Sequence, residues 1–266
     1  MKGAITNYEN KFYLNQTGFS GISNVNGSYA LDYKPINILG KGHVKQVLAA
    51  VPSASITIDR FLVTNDPVFG LTGDTANYLA KSISGGLYYQ GKYFSFSSGY
   101  LNSFGISCSV GEVPTINSTY NIYSDIGPIS NPTGNYFDNT IIVPQVKDIL
   151  LTCKSSTTNR IKDFDIQFDC PKLPIYGLSS SNSQIPIEVQ NTFPIEVNST
   201  FTLEVDDYET KKAFDDLTSD GTVNFVINIS GIFNFTGNNA KITSEQISSS
   251  ADDVLSVKLS YKSYLS

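Results

Sequence analysis

Residues 164–177 read Phe164-Asp-Ile-Gln-Phe168-Asp-Cys-Pro171-Lys-Leu-Pro-Ile-Tyr-Gly177, an alternation of apolar and polar residues that runs into a proline and then a glycine. The first half of the chain contains a similar stretch, Tyr29-Ala-Leu-Asp-Tyr33-Lys-Pro35-Ile-Asn-Ile-Leu-Gly40. A second alternating segment follows each one, Ile56–Val63 in the first half and Phe201–Val205 in the second. Period-two alternation is typical of antiparallel strands with one face on a core. The sequence therefore predicts the same β unit twice, over residues 1–135 and 136–266, which is more typical of an architectural protein than of a catalyst.

Composition also favours strands over helices. The 266 residues are only 16% charged and are rich in Ser, Thr, Asn, Gly and Tyr, which suit strands and turns. Helical patterns are few and short, at His43–Val51, Thr75–Ser82 and Thr210–Leu217, and Gly85-Gly86 is typical of a hairpin turn. The predicted fold class is all-β, with two similar antiparallel β-sandwich or β-barrel units and short flanking helices. Further strands are predicted at Leu87–Phe96, Phe104–Val110, Asn117–Tyr123, Val223–Ile229 and Val254–Tyr261.

Charge and cysteine content argue against several function classes. The net charge of −6 leaves no basic face for gripping nucleic-acid phosphates. Cys108, Cys153 and Cys170 lack metal-type spacing, and Cys108 falls on the apolar phase of its strand, so we expect a buried thiol there. No segment has the apolar core of a signal peptide or the length of a transmembrane helix. The sequence predicts a chain made in the cytoplasm, with no membrane partner.

A catalytic or metal site is hard to place on this sequence. His43 is the only histidine, and it lies in a short glycine-bounded turn. Nucleophile-elbow, phosphate-loop and dinucleotide motifs are all missing. The adjacent pairs Asp206-Asp207, Asp215-Asp216 and Asp252-Asp253 match calcium loops poorly, because calcium prefers alternating carboxylates with a sharp glycine turn. The sequence thus predicts no catalytic residue, no metal and no cofactor.

The chain resembles the tail tube proteins of long-tailed bacteriophages in three places: Ile56-Thr-Ile-Asp-Arg-Phe61, Gly99-Tyr-Leu-Asn-Ser-Phe-Gly-Ile-Ser-Cys-Ser-Val-Gly-Glu-Val-Pro114 and Phe164–Gly177. The resemblance implies subunits that join sheets side by side into a ring, and rings that stack into a hollow tube for the genome. A doubled chain is similar to tube and hub proteins in which a trimer imitates a hexamer, so a ring trimer or hexamer is expected. The implied partners are copies of itself, other tail proteins and genomic DNA that passes without specific binding, all in the virion tail.

On this reading, acidic groups on or beside the repeat strands are expected to face the lumen, where negative charge keeps DNA from sticking. An ordinary solvated strand face remains the alternative for each of them. The segments Lys41–Pro52 and Ser179–Pro194, and the loop Gly127–Asn135, are expected to contact neighbouring rings. The candidate lumen-facing residues are Asp32, Asp59, Glu112, Asp165, Asp169 and Glu204.

Three other functions stay open at the level of sequence. A hub, baseplate or neck component of the same fold would form one ring without polymerising. A carbohydrate- or receptor-binding β-sandwich would present a concave face of Tyr and Asn or Asp, with a calcium ion as a further option. A glycoside-acting enzyme needs only two carboxylates at a set separation, which the sequence neither indicates nor excludes.

Overall fold

The computed structural model is built almost entirely from antiparallel strands. It describes residues 11–31, 33–36, 46–49, 53–64, 82–89, 91–136, 141, 143, 148–153, 156–177, 185–204, 221–229, 232–249 and 255–265. For residues 33–36, 46–49, 135, 136 and 156 it describes the backbone only. The all-β prediction is confirmed, and the described residues include no α-helix.

The strands fall into two sets along the chain. The first set is β1 (Lys11–Leu14), β2 (Thr17–Phe19), β3 (Ile22–Ala30), β4 (Tyr33–Ile36), β5 (Gln46–Ala49), β6 (Ser53–Phe61), β7 (Ile83–Tyr89), β8 (Lys92–Ser109) and β9 (Thr115–Ile122). Two short strands follow, β10 (Ile126–Gly127) and β11 (Asn135–Tyr136). The second set is β12 (Ile149–Cys153), β13 (Ser156–Thr158), β14 (Ile161–Asp169), β15 (Lys172–Ile175), β16 (Glu188–Asn191), β17 (Ile195–Glu204), β18 (Val223–Ile229), β19 (Phe233–Ser248) and β20 (Ser256–Leu265).

Strand pairing follows one plan in both sets. The first set pairs in the order β2-β1-β7-β8-β9-β6-β3. The second set pairs in the order β13-β12-β18-β19-β20-β17-β14. In each set the last two strands of this order are joined by a segment that contains a two-stranded ladder. The β4–β5 ladder lies between β3 and β6, and the β15–β16 ladder lies between β14 and β17. The chain therefore repeats a complete β unit, while the boundary expected between residues 135 and 136 stays a prediction.

Irregularities in the ladders repeat with the strands. The first set has β-bulges between Ile22 and Asn24, Ile83 and Gly85, and Leu101 and Ser103. The second set has them between Ile161 and Asp163, Val223 and Phe225, and Ile242 and Ser244. A bulge bends its strand and raises the local twist. The matched bulges also fix which residues of the two sets correspond.

The two sets meet on β8, a strand of 18 residues. Its first part pairs with β7, and its last part pairs with β9 on one edge and β14 on the other. Residues 103–109 of β8 face residues 163–169 of β14, a pairing that we call the internal junction. The rings of Phe104 and Phe168 lie opposite each other across it, with centroids 5.5 Å apart. Both sets thereby belong to a single 16-stranded sheet.

The apolar phases of these strands form the core. In the second set Phe201 packs between Phe225 and Tyr261, with ring centroids 5.2 and 6.0 Å away. Phe235 continues the cluster to Phe168 at 5.0 Å. Each fully buried side chain of this size contributes about 1.5–3 kcal/mol through removal of apolar surface from water. The alternation in the sequence thus correctly identified the buried face.

The predicted helix at His43–Val51 is wrong, because Gln46–Ala49 form β5 and pair with Tyr33–Ile36. A short apolar run fits a strand as well as a helix, and here its pairing partner decides. The predicted helix at Thr210–Leu217 lies outside the described residues, as does all of Thr75–Ser82 except Ser82, which is not helical. The described parts of Lys41–Pro52 and Ser179–Pro194 lie in or beside the β4–β5 and β15–β16 ladders.

Two strand predictions also need correction. The segment Leu87–Phe96 is a hairpin rather than one strand, because β7 ends at Tyr89 and β8 begins at Lys92. Gly91 in this turn has a φ of 77°, a conformation that glycine adopts without steric cost. The segment Tyr29–Tyr33 is divided between β3 and β4. In the first case the alternation in the sequence continues across a hairpin turn, and in the second it continues from one ladder into another.

The buried thiol predicted at Cys108 is confirmed, and Cys153 and Cys170 are also buried; none of the three forms a disulfide. Burial, assisted by the nearby charge of Glu112, raises the pKa of Cys108 from 9.0 to about 11. Burial also raises the pKa of Cys170 from 9.0 to about 11; the Lys172 charge opposes this shift and the Asp169 charge adds to it.

We expect these thiols to react with iodoacetamide at pH 8 at least tenfold more slowly in the folded protein than in denaturant, as measured by mass spectrometry. The folded pKa values of Cys108 and Cys170 lie above the unfolded ones, so these two thiols contribute stability below pH 9 that is lost as the pH rises towards about 11. The denaturant midpoint of Cys170→Ala should therefore fall less steeply across this window than that of the parent. Equal slopes would contradict the prediction.

A continuous polar sheet face as the candidate functional site

The central part of the sheet separates a polar face from an apolar one. We use the name central sheet for the strands β3-β6-β9-β8-β14-β17-β20-β19, which are neighbours in this order. On β14, Phe164, Ile166 and Phe168 are buried, whereas Asp165 and Gln167 alternate with them and point to the other side. Antiparallel register carries this phase from strand to strand, so one face of the central sheet is polar throughout.

Short polar side chains on this face bond to each other across neighbouring strands. The hydroxyls of Thr57 and Thr119 lie 3.1 Å apart, and those of Ser107 and Thr115 also lie 3.1 Å apart. At the two ends of the central sheet the pairs Ser28–Ser55 and Ser248–Ser256 are each separated by 2.8 Å. Cross-strand hydroxyl pairs stabilise a sheet and satisfy each other's hydrogen-bonding capacity. The face is hydrophilic, but these groups are already engaged.

Most carboxylates on the polar face are also held by neighbours. Asp59 accepts hydrogen bonds from the side-chain amides of Asn24 and Asn117. The hydroxyl of Thr202 donates to Asp163 at 2.9 Å. Such contacts fix the carboxylates in place without neutralising their charge.

Two ion pairs lie on or beside the same face. Lys262 contacts Glu196 at 2.8 Å, and this hydrogen bond raises the pKa of Lys262. Arg160 contacts Glu204 at 3.5 Å. Exposed ion pairs of this kind contribute little to stability. Their effect is to make the charge less negative around the second set of strands, where most of the acidic groups of this face lie.

Four of the six candidate residues share this face. Asp59 lies on β6, Asp165 and Asp169 on β14, and Glu204 at the end of β17. Glu112 lies elsewhere, in the turn after β8, where its backbone nitrogen donates to the carbonyl of Ser109. Asp32 lies outside the described residues. That these residues face a lumen stays a prediction.

Sequence reasoning missed several charged residues of the same face. Asp163 and Glu196 belong to the polar phases of β14 and β17, but the predicted strands began one to several residues too late to include them. Lys258 and Lys262 lie on strand β20, opposite Thr202 and Asn198 of β17. Extending the alternation to the full length of each strand would have found the acids. The lysines required knowledge of which strands pair.

Neither a metal site nor a membrane-spanning helix is found within the described ranges. No group of three or more His, Cys, Asp or Glu side chains comes together there in a way that could hold a metal ion. No helix in the described part of the chain is long and apolar enough to cross a membrane. The His43 turn and the three adjacent aspartate pairs lie outside the described residues.

The β15–β16 ladder presents an apolar surface to solvent. Leu173, Ile175 and Ile187 are large apolar residues that are well exposed, and Phe193 beyond the ladder is exposed too. Leu173 and Ile175 alternate along β15 and so share one face of the ladder, and exposed apolar side chains on one face are of the kind that marks protein–protein contacts. We call this ladder with its exposed side chains the second arm.

Comparison with known proteins gives a limited result. No protein-family model matches the chain, and no curated protein matches it. Among solved structures, a chain from the virion of a native gene transfer agent particle is 17% identical, with a TM-score of 0.36, covering 44% of this chain and 91% of that one. A chain from the tail of an empty gene transfer agent particle, computed with helical refinement and C6 symmetry, is 16% identical, with a TM-score of 0.35, covering 46% and 94%. At these scores the likeness by itself assigns no role to the chain.

Proposed function

We propose that this chain is a structural subunit of a phage-type tail tube, which assembles into rings that stack around a channel for DNA. The observation that carries the proposal is the central sheet, in which two copies of one β unit join edge to edge and share a continuous polar face. Edge-to-edge joining within the chain is the operation by which further units would extend the sheet. The subunit would act by self-assembly in a virion tail, without catalysis.

The chemistry of the polar face suits the wall of such a channel. Its hydroxyl and amide groups are short and engage each other, so they offer a passing polyanion few donors to bind. Its carboxylates, among them Asp59, Asp163 and Asp165, repel phosphates. Among the described residues, the acids on or beside this face outnumber its cations, which are Arg160, Lys241, Lys258 and Lys262. DNA would therefore pass without specific binding.

The second arm suits contact between stacked rings. Its apolar residues Leu173, Ile175 and Ile187 remain 55%, 38% and 65% exposed in the single chain. Burial against a neighbouring ring would remove that surface from water, at about 25 cal/mol per Å². A ring that does not stack would instead serve as a hub, baseplate or neck component of the same fold.

Electron microscopy of the purified protein, with light scattering on the same sample, tests the proposal. We expect particles far heavier than the 29.0 kDa chain, visible as rings or stacked rings with a central hole. Their symmetry would separate a trimer of double units from a hexamer. A monomer at every concentration tested, with binding on a glycan array, would contradict the proposal and favour the receptor-binding alternative.

Neutralising the polar face should leave assembly intact. Asp165→Asn with Asp169→Asn removes two negative charges from partly exposed positions, and surface changes of this kind alter stability by about 0.5 kcal/mol or less. We expect the same melting temperature and the same rings as for the parent. In a binding assay, assembled double-variant particles should retain DNA more strongly at low salt than parent particles. Loss of the fold would contradict this assignment of the face.

Charging the second arm should separate stacking from ring formation. Leu173→Asp with Ile187→Asp places charges on exposed positions, so we expect the subunit to fold and form rings that no longer stack. Val110→Asp is the matched control, because Val110 is also exposed and lies outside the arm. Sedimentation and electron microscopy distinguish rings from stacks. Unchanged stacks in the arm variant would show that the arm makes no contact between rings.

A further inference from the structure

Two large apolar residues are exposed where the strand plan would bury them. Tyr29 on β3 is 48% exposed, although its counterpart in the second set, Phe168, is 3% exposed. Ile247 on β19 is 52% exposed, although its counterpart in the first set, Ile106, is completely buried. Phe168 and Ile106 both belong to the internal junction. Tyr29 and Ile247 thus correspond to residues that the internal junction buries, one from each of its two strands. They are exposed because they lie on the outer strands of the central sheet, where no second strand covers them within the described residues.

The strand edges at these ends lack the partner that the internal junction supplies. Among the described strands, β3 pairs only with β6, whereas its counterpart β14 pairs with both β17 and β8. Within the described part of the chain, the last part of β19 pairs only with β20, whereas the last part of its counterpart β8 pairs with both β9 and β14. An open edge presents unpaired backbone donors and acceptors to any strand of matching shape.

We infer that β3 of one chain pairs antiparallel with residues 244–248 of β19 in a second copy of the chain, in the register of the internal junction. That register places Tyr29 opposite Glu245, Ser28 opposite Gln246, and Gly27 opposite Ile247. It follows from the matched bulges, which identify β3 with β14 and the end of β19 with the end of β8. The same sheet-extending contact thus occurs once within each chain and once between chains.

The proposed junction between chains differs from the internal junction at Glu245. Its carboxylate oxygens are shielded from solvent and have no hydrogen-bond partner among the described residues. A shielded carboxylate without a partner is costly, because it loses its water without replacement. The proposed register brings the Tyr29 ring, which carries an O–H donor, alongside it. The pair Phe104–Phe168 of the internal junction is thus replaced between chains by the pair Glu245–Tyr29.

The contact joins different surfaces of the two copies, so it is heterologous. It closes into a ring only if the rotation from one copy to the next is a whole fraction of 360°. This inference rests on the ring assembly proposed above, and it adds the edges and the register by which the ring closes. The junction between chains is also more polar than the internal one, because Gly27 replaces Ile166 and Glu245 replaces Phe104. We therefore expect rings to dissociate into chains under conditions that leave each chain folded.

Disulfide trapping tests the register in the full-length protein. Ser28→Cys with Gln246→Cys places two thiols directly opposite, at a Cβ separation of roughly 4.5–5.5 Å, close to the range that a disulfide spans. Ser28→Cys with Ser248→Cys is the control, because these positions are diagonal neighbours roughly 7–8 Å apart. After mild oxidation we expect the first variant to form a covalent ladder between chains at least tenfold more efficiently than the second. Mass spectrometry should link the peptides that carry positions 28 and 246.

Ile247→Lys provides an independent test that does not depend on thiol chemistry. Because Ile247 is exposed in the single chain, the variant should melt like the parent monomer but lose at least nine-tenths of its rings, whereas Val110→Lys should keep them. Rings that persist in Ile247→Lys, or equal trapping by both cysteine pairs, would overturn the register while leaving the tube proposal standing. A parent protein that forms no rings would overturn both.

Discussion

Phe201→Asp is expected to yield no folded protein. Phe201 is completely buried, and its ring packs against Phe225 and Tyr261 at the centre of the aromatic cluster. The substitution removes a large apolar side chain and places a carboxyl group among buried aromatic rings, at a combined cost of several kcal/mol or more. Because whole domains are stable by only about 5–15 kcal/mol, this single change consumes most or all of that margin. Near-ultraviolet circular dichroism and limited proteolysis measure the loss.

Asn198→Asp is the matched control on the same strand. Asn198 lies on the polar phase of β17, exposed, and opposite Lys262 on β20. We expect it to melt within a few degrees of the parent. Ile58 occupies on β6 the position that Phe201 occupies on β17, so Ile58→Asp should also fail to fold. A cooperative melt of Phe201→Asp near the parent temperature would contradict the assignment of the core face.

Gly86→Ala should destabilise the protein strongly for a change that adds a single methyl group. A Cβ at Gly86 would lie 2.6 Å from the backbone oxygen of Phe94 and 2.7 Å from the Cα of Ser95, so backbone on the neighbouring strand has to move. Overpacking of this kind costs about 1–3 kcal/mol, and rigid backbone neighbours favour the upper end. Chemical denaturation at a fixed low protein concentration measures the change.

Gly27→Ala makes the same chemical change in open surroundings. Its Cβ would meet only Ile56 and Phe94, at ordinary contact distances of 3.8 and 3.9 Å. We therefore expect a change in unfolding free energy within about 1 kcal/mol, since glycine in a strand is itself unfavourable. If the two variants unfolded at the same denaturant concentration, close strand packing at Gly86 would be ruled out as the reason for glycine there.

The case of Gly85-Gly86 illustrates where local sequence misleads. A glycine pair is typical of a hairpin turn, yet both residues lie inside β7, between β1 and β8. The reason for glycine there is close approach of backbone and side chains on the neighbouring strands, which the sequence around it does not reveal. The turn itself lies a few residues later, at Gly91.

The sequence predicted only part of the polar face, because local alternation shows which residues of one strand share a face but not which strands are neighbours. Asp59, Asp165, Asp169 and Glu204 were found because each alternates with apolar neighbours on its own strand. Glu112 was included for its position beside a strand, but it lies in a turn. Cross-strand neighbours such as Lys258 and Lys262 carry no local signal that they share this face.

By itself, the sequence determined that this protein is all-β, that its strands have one apolar face, and that one β unit occurs twice. These properties follow from side-chain alternation along the chain, which is local. Only the tertiary structure decided that β8 pairs with β7, β9 and β14, that the two units share a sheet, and that no other described strand covers the free edges of β3 and the end of β19. Strand pairing depends on backbone hydrogen bonds between distant segments, and because every residue except proline offers the same donor and acceptor, side-chain pattern alone does not choose the partner.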